Sequence, residues 1–269
     1  MLEAIFLGLI QGLTEFLPIS SSAHIRIAGE FLPGAKDPGA AFTAISQIGT
    51  ELAVLIYFRR DIVAIAKAWL TRDGSAEARL GNLIIIGSLP IVILGYFGED
   101  YITNNFRSLW LVATTLILFG LILGLADRIG RNEKLLNQLN ARDGIAYGLA
   151  QSLALIPGVS RSGATIALGR LLGYKREAAL RYSFLLALPA VFGSGLFQLQ
   201  AAITENASSV YSLPEIFVAT VTAFFVGYAV IAWLMKFIAT KSFAPFVIYR
   251  VILGTALLIA LATGAISAQ

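Results

Sequence analysis

One polar motif occurs twice in this chain, 140 residues apart, within a sequence that is otherwise apolar. The first copy begins at Gly8 and reads GLIQGLTEFLPISSSAHI, and the second begins at Gly148 and reads GLAQSLALIPGVSRSGATI. Gly, Leu, Gln, Leu, Pro, Ser, Ser and Ile recur in the same order, with single-residue slips near the proline. Two related polar segments in an apolar chain predict a duplicated protein with one site at its centre.

The composition indicates a polytopic membrane protein. The 269 residues are 57% hydrophobic and 13% charged, whereas soluble domains carry about 25% charged residues. The net charge of +4 would suggest nucleic acid in a soluble protein. Here the basic residues lie between apolar segments, so membrane topology explains them better and no nucleic-acid partner is expected. The absence of cysteine excludes disulfides, thiolate metal sites and cysteine nucleophiles.

Six apolar segments reach the length of about 20 residues that a membrane-spanning helix needs. They are 41–58, 81–97, 108–126, 182–201, 215–236 and 246–266. Two further apolar stretches, 2–17 and 144–156, stop at a proline and a cluster of hydroxyl residues. Short apolar pieces, 23–32 and 164–172, follow these breaks. The pattern predicts two re-entrant helical hairpins, 2–32 and 144–172, whose irregular tips are buried in protein or line a wet cavity.

The lysines and arginines test this layout. Fifteen of the 20 basic residues fall in four segments, which are 59–80, 127–143, 170–181 and 236–245. Cytoplasmic loops carry an excess of lysine and arginine, so we expect these segments inside and both termini outside. The outer side then receives Arg26, Lys36 and Arg107.

This alternation requires that the two hairpins do not cross the membrane and that they enter from opposite faces. We therefore predict an all-α polytopic membrane protein, one integral membrane domain over 1–269, with an inverted-topology repeat of 1–130 and 141–269. In transporters of this architecture the binding residues meet near the midplane. The alternative is eight plain helices with polar kinks, which would leave 127–143 and 170–181 on opposite sides.

The first copy of the motif carries a candidate acid and hydroxyl groups. Gln11 and Glu15 are four residues apart and share one helix face. A carboxylate in an apolar setting is costly and usually functional, so Glu15 is a candidate general base or metal ligand, although a structural hydrogen-bonding role is the alternative. Ser20, Ser21 and Ser22 are either helix N-caps or parts of the site.

The second copy carries a candidate anion site. Ser160, Arg161, Ser162 and Thr165 stand at the beginning of a half-helix, where free N–H groups favour an anion. The guanidinium of Arg161 is planar and always charged, which suits phosphate. The alternative is that Arg161 pairs with Glu15 and locks the repeats face to face.

Two further side chains are candidates for the same site. His24 is the only histidine, and it is suited to proton transfer to a leaving phosphate oxygen, although lone histidines are more often structural. Glu51 follows Gln47 by four residues in the first span, and the sequence leaves its role open. Together these groups suit phosphoryl transfer. One Glu with Gln and hydroxyls favours Mg²⁺ or Ca²⁺, with Glu15 as a ligand.

At these residues the chain resembles the undecaprenyl-diphosphate phosphatase family, also called the bacitracin-resistance proteins, over its whole length. Gln11-x-x-x-Glu15, continuing through His24, fits the family's Glu/Gln-x-x-x-Glu motif, and Pro157 to Thr165 fits its Pro-Gly-x-Ser-Arg-Ser-x-x-Thr motif. The positions matched to functional residues of the family are Gln11, Glu15, Ser21, His24, Ser160, Arg161 and Thr165.

The resemblance implies a bacterial plasma-membrane enzyme that hydrolyses undecaprenyl diphosphate to the monophosphate and so recycles the lipid carrier of cell-wall synthesis. It also implies dependence on a divalent cation, an active site open to the outer (periplasmic) face, and bacitracin resistance. Gln11 departs from members that carry Glu at this position. This departure puts a two-carboxylate metal site in doubt and shifts the load to Glu15.

The resulting hypothesis assigns different tasks to the two copies. Arg161 and the groups around it hold the phosphates, Ser21 or a water activated by Glu15 attacks, and His24 or Glu15 handles the leaving proton. The remaining expected substrate-binding residues are Gln11, Ser20, Ser22, Ser160, Ser162 and Thr165. When the two motif copies are compared, the second has Leu155 and Thr165 where the first has Glu15 and His24. Alternatives are a lipid-phosphate flippase and an inactive lipid-phosphate receptor, and a homo-oligomer is left open.

Overall fold

The computed structural model describes residues 1–32, 38–106, 108–204 and 210–266, and these fold as an all-helical bundle. Its α-helices are α1 (Leu2–Thr14), α2 (Ser21–Phe31), α3 (Gly39–Tyr57), α4 (Arg59–Thr71), α5 (Ala76–Asn105), α6 (Leu109–Ile129), α7 (Ala141–Ser152), α8 (Arg161–Leu171), α9 (Arg176–Thr204), α10 (Leu213–Thr240) and α11 (Ala244–Ala262).

Five of the six predicted spans are confirmed as single helices. Helices α5, α6, α9, α10 and α11 are each long and apolar enough to cross a membrane. The sixth predicted span, 41–58, corresponds to α3, which meets α4 at an angle of 82° and reaches the length and apolarity of a span only together with it.

The prediction that 59–80 is a loop is wrong, because its first half forms α4. Ile65 and Ala68 are buried on one face of α4, while Arg59, Arg60 and Lys67 are exposed. An amphipathic helix of this kind buries an apolar stripe but lacks the continuous apolar run of a span.

Several spans are longer than their apolar windows. Helix α5 begins at Ala76 rather than at residue 81, since Ser75 caps it by accepting a hydrogen bond from Ala78 N at 3.2 Å. Helices α9 and α10 also extend beyond the predicted bounds. Polar residues continue these helices outside the apolar core, where an apolar window does not register them.

The two hairpins are present. Helix α1 packs against α2, and α7 packs against α8. At 1.5 Å per residue, the 13 residues of α1 and the 12 of α7 reach roughly 20 Å, well short of the ~30 Å hydrocarbon core. Neither helix can cross alone, so both pairs are re-entrant.

The four basic segments lie together at one end of the bundle, hereafter the basic end. Arg79 Nη2 donates to Asn137 O at 3.0 Å, and Arg181 Nη2 lies 2.5 Å from Asp61 Oδ2. Asp127 Oδ1 accepts from Arg176 Nε at 2.7 Å. Asp127 Oδ2 also accepts from the backbone N–H of Phe243 at 3.1 Å, which ties in the last segment.

The N-terminus lies at the opposite end. The amino group of Met1 contacts Glu215 Oε1 at 2.6 Å. Glu215 is near the start of α10, whose other end reaches the basic end, so α1 begins at the opposite end. Helix α7 begins at the basic end, because Ala141 lies within the segment 127–143. The hairpins therefore enter from opposite ends, and the eight-helix alternative is excluded because 127–143 and 170–181 contact each other. Lys36 and Arg107, predicted for the outer side, lie outside the described residues.

Equivalent glycines anchor the two hairpins. Gly8 of α1 packs directly on the backbone of Ala219 in α10, and Gly148 of α7 packs in the same way on Gly87 in α5. A Cβ at either glycine would overlap the facing backbone, so the first glycine of each motif copy is required by close helix contact. The equivalent packing partners are α10 and α5, and α3 packs on α9 at the centre.

Candidate active site

The two hairpin tips have the same local structure. Ser20 and Ser160 are the N-caps of α2 and α8, and both adopt positive φ, 75° and 70°. Each cap oxygen accepts a backbone N–H three residues on and lies 3.2 Å from the hydroxyl two residues on, Ser22 or Ser162. Positive φ at non-glycine residues is strained and concentrates at functional sites.

The caps fix the register between the motif copies. Ser20 is equivalent to Ser160, so Ser21 is equivalent to Arg161 and His24 to Ala164. The expectation that Thr165 replaces His24 is therefore wrong by one residue, because the slip near the proline ends before the cap.

Glu15 is the centre of the polar cluster between the tips. Its Oε2 accepts hydrogen bonds from Ser21 Oγ at 2.5 Å, from Gln11 Nε2 at 2.7 Å and from Gln47 Nε2 at 3.3 Å. Its Oε1 accepts from Arg161 Nη2 at 2.7 Å. One carboxylate thus contacts a hydroxyl, two amides and the guanidinium of the other repeat.

Arg161 joins two carboxylates. The same Nη2 that contacts Glu15 also donates to Glu51 Oε1 at 2.8 Å, so the pairing expected as an alternative for Arg161 is present and extends to a third residue. Arg161 Nη1 and Glu51 Oε2 have no hydrogen-bond partner within the described part of the chain. The sequence left the role of Glu51 open because its partner lies in the other repeat.

Arg250 of α11 holds the backbone of both tips, a role that the sequence analysis missed. It is fully buried. Its side-chain hydrogen bonds within the described residues all go to carbonyl oxygens, those of Pro18, Gly158, Val159, Thr115 and Leu116, at 2.7–3.2 Å. A planar guanidinium with five donors suits such a set.

A cavity of about 520 Å³ opens from this cluster. At the hairpin tips and α3 its polar lining residues are Glu15, Ser20, Ser21, Ser22, Gln47, Ser160 and Arg161, and α5 and α9 add Tyr96, Ser194 and Gln198. Its wall consists of residues from the second halves of α5 and α9, including Ile91, Val92 and Phe197. Both helices begin at the basic end, so the cavity extends toward the opposite end of the bundle.

Some predicted site residues lie outside the cavity lining. His24 contacts Ser20 O through Nδ1 and Tyr249 Oη through Nε2, both at 2.7 Å. Thr165 is fully buried, and its hydroxyl lies 2.6 Å from Ser183 Oγ. Ser162 Oγ donates to Leu17 O at 3.3 Å and so links the second tip to the first. Gln11 is buried behind Glu15.

Comparison with known proteins shows which family the chain resembles. Residues 4–256 match the family described as Bacitracin resistance protein BacA. The chain belongs to this family. Among its relatives are undecaprenyl-diphosphatases of Micrococcus luteus, 61% identical, and of Paenarthrobacter aurescens, 58% identical, each alignment covering 99% of both chains. Undecaprenyl-diphosphatase 2 of Agrobacterium fabrum is 60% identical, over 99% of this chain and 98% of the relative.

The donor set bears on the divalent cation that membership in this family suggests. Within the described residues, no group of three or more His, Cys, Asp or Glu side chains is arranged to hold a metal, and both oxygens of Glu15 already accept hydrogen bonds. Mg²⁺ is often held by one or two carboxylates together with substrate phosphates. Glu15 lines the cavity, so it is the carboxylate that would hold a cation of that kind together with the substrate phosphates.

Proposed function

We propose that this protein hydrolyses undecaprenyl diphosphate to undecaprenyl phosphate and inorganic phosphate. The observation that carries the proposal is the contact of one buried carboxylate, Glu15, with both the Ser21 hydroxyl and the Arg161 guanidinium. A hydroxyl beside a base is an activated nucleophile, and an arginine at a helix N-terminus binds phosphate. The names of the relatives support the substrate.

The geometry favours Ser21 over a free water as the nucleophile. Ser21 Oγ attacks the terminal phosphorus, the bond from that phosphorus to the bridging oxygen breaks, and undecaprenyl phosphate leaves. The Ser21 proton passes to Glu15 Oε2, 2.5 Å away. Glu15 passes that proton to the oxygen of the departing undecaprenyl phosphate and is a carboxylate again. It then takes a proton from a water that attacks the phosphoserine, and this proton returns to Ser21 Oγ as inorganic phosphate leaves. Arg161 neutralises charge on the transferred group. A divalent cation, when bound, would be held by Glu15 and would supply further neutralisation of the phosphates.

The setting of the cavity fits a lipid substrate. Its α5 and α9 wall is largely apolar, so the polyprenyl chain lies against membrane-facing helices while the diphosphate reaches the polar tips. If the basic end is cytoplasmic, the cavity extends toward the outer face and the N-terminus lies outside. The reaction would then regenerate the lipid carrier of wall synthesis and confer bacitracin resistance.

Phosphate release from undecaprenyl diphosphate by the purified protein tests the proposal. We expect Glu15→Gln and Arg161→Lys to lower turnover by at least about a hundredfold, the range for a lost general base or charge stabiliser. Asp61→Asn is the matched control, since Asp61 also pairs with an arginine but lies at the basic end. Near-normal turnover in correctly folded Glu15→Gln would overturn the assignment of Glu15, and absence of phosphate release by the unaltered protein would overturn the proposed function.

Substrate labelled on its terminal phosphate distinguishes the nucleophile. We expect acid-quenched protein to retain label at Ser21, and Ser21→Ala to lose both label and turnover. Full activity of Ser21→Ala would assign the attack to water.

A lipid-phosphate flippase is the second candidate, because the hairpins enter from opposite ends and meet at one cavity. Proteoliposomes with substrate confined to the leaflet opposite the site decide between them. Outward movement of unhydrolysed lipid would support transport, and hydrolysis limited to the accessible leaflet would exclude it.

A further inference from the structure

Among the described residues, Glu51 is the one carboxylate in contact with the catalytic cluster that the motifs do not include. It lies on α3, it is fully buried, and its Oε1 accepts from Arg161 Nη2 at 2.8 Å. It does not line the cavity, whereas Arg161 does. Glu51 is therefore connected to the cavity through Arg161.

The contacts of Arg161 with Glu15 and Glu51 explain the role of a second carboxylate. If Glu15 were the only partner of Arg161, the two would form a closed ion pair, and the base and the phosphate-binding cation would neutralise each other. Glu51 competes for the same nitrogen, at 2.8 Å against 2.7 Å for Glu15. Arg161 can then keep a carboxylate partner when a phosphate displaces Glu15.

We propose that Glu51 is a positioning residue that retains Arg161 at the cavity and leaves Glu15 available as the base. In this protein it supplies, from α3, the second carboxylate that Gln11 does not provide. The inference rests on the proposed phosphatase function and adds a residue outside both motif copies.

Glu51→Gln is the main test, because it keeps the shape and removes the charge. Arg161 then pairs with Glu15 alone, so we expect kcat to fall about ten- to a hundredfold, within the range for impaired general-base catalysis. The cluster also becomes less negative toward an anionic substrate, so KM should stay constant or decrease. Ser46→Ala is the control, since Ser46 is a buried polar residue of α3 that bonds only within that helix.

Three other results would overturn the inference. Unchanged kcat in Glu51→Gln would show that Arg161 needs no second partner. A parallel loss of kcat and thermal stability, shared by Ser46→Ala, would indicate a structural role for this part of α3. Recovery of kcat at high Mg²⁺ concentration would make Glu51 a cation ligand instead. Absence of phosphate release by the unaltered protein would refute the proposed function itself, so the two failures are distinguishable.

Discussion

Arg250 Nη1 donates a hydrogen bond to the carbonyl oxygen of Pro18 at 3.1 Å, across 232 positions of sequence. The same nitrogen donates to Val159 O at 3.1 Å, so one guanidinium nitrogen joins the breaks of both hairpins. These backbone segments carry Ser21 and Arg161 a few residues later. The position of Ser21 relative to Arg161 thus depends on a side chain that holds the backbone before each of them.

Replacing Arg250 with methionine should therefore disable the site and destabilise the bundle. Buried carbonyls that lose their donors cost about 1–3 kcal/mol each, so we expect a free energy of unfolding lower by at least about 3 kcal/mol and loss of most turnover. Arg250→Lys keeps the charge but cannot supply five donors in a fork, and it should restore stability only in part. Thermal unfolding in detergent and phosphate release measure both effects.

Arg181→Met is the matched control for Arg250. The side chain of Arg181 is 34% exposed and pairs with Asp61 at the basic end. Exposed ion pairs contribute about 0–1 kcal/mol, so this variant should stay close to the unaltered protein. Equal losses in the Arg181 and Arg250 variants would contradict a special role for Arg250.

The fold was predictable where it reflects the membrane. The length of an apolar run follows the thickness of the bilayer, and the placement of basic residues follows its charge asymmetry, so spans, hairpins and their opposite entry could be read from the chain. Helix α4 was not predicted, because an amphipathic segment such as Arg59–Thr71 has the composition of a polar loop. Its apolar stripe has meaning only against a neighbouring helix.

The site was predictable where chemistry and motif coincide, at Glu15, Ser21 and Arg161. Arg250 was missed because its partners are backbone carbonyls, which leave no side-chain pattern in the sequence. Glu51 stayed undecided because its partner belongs to the other repeat. The place of His24 depends on the rotation of α2, which follows from packing against α11 and not from the motif.

Asp127 should be the main stabilising residue of the basic end. Asp127 accepts hydrogen bonds from Arg176 and, at 3.0 Å, from Arg170 Nε. The sequence placed Arg170 only in the basic segment 170–181, but its side chain is 1% exposed. Removing one partner of a buried ion pair costs about 3–5 kcal/mol. We expect Asp127→Asn to lower the free energy of unfolding by that order, measured in detergent, whereas Asp61→Asn should cost less than about 1 kcal/mol. A small loss in Asp127→Asn would refute the assignment.

His24 should act together with Tyr249 and not as an independent acid or base. The two side chains are stacked, with ring centroids 5.5 Å apart, and share a hydrogen bond of 2.7 Å. We expect His24→Gln and Tyr249→Phe each to lower turnover by roughly tenfold or less, on the scale of one hydrogen bond. The turnover of the double variant should be no lower than that of the less active single variant, as expected for coupled residues. A loss in His24→Gln as large as in Glu15→Gln, with normal Tyr249→Phe, would instead give His24 a direct catalytic role.

Catalysis should require a divalent cation that binds only together with the diphosphate. The carboxyl groups of Glu15 and Glu51 share the single guanidinium of Arg161, so the cluster leaves little free positive charge for an arriving diphosphate. Chelation should abolish phosphate release, and Mg²⁺ or Ca²⁺ should restore it, because hard cations are readily held by carboxylate and phosphate oxygens.

The same charge arrangement makes a sharper prediction about binding in the absence of substrate. Since no group of three metal-ligating side chains occurs among the described residues, the free protein should bind Mn²⁺ weakly. A non-hydrolysable methylene diphosphonate should raise that affinity at least about tenfold by completing the ligand set, and Glu15→Gln should remove the increase. Electron paramagnetic resonance of bound Mn²⁺ measures both states. Tight stoichiometric Mn²⁺ binding without the diphosphonate would show that the protein alone encloses the cation, and it would contradict a site that the substrate completes.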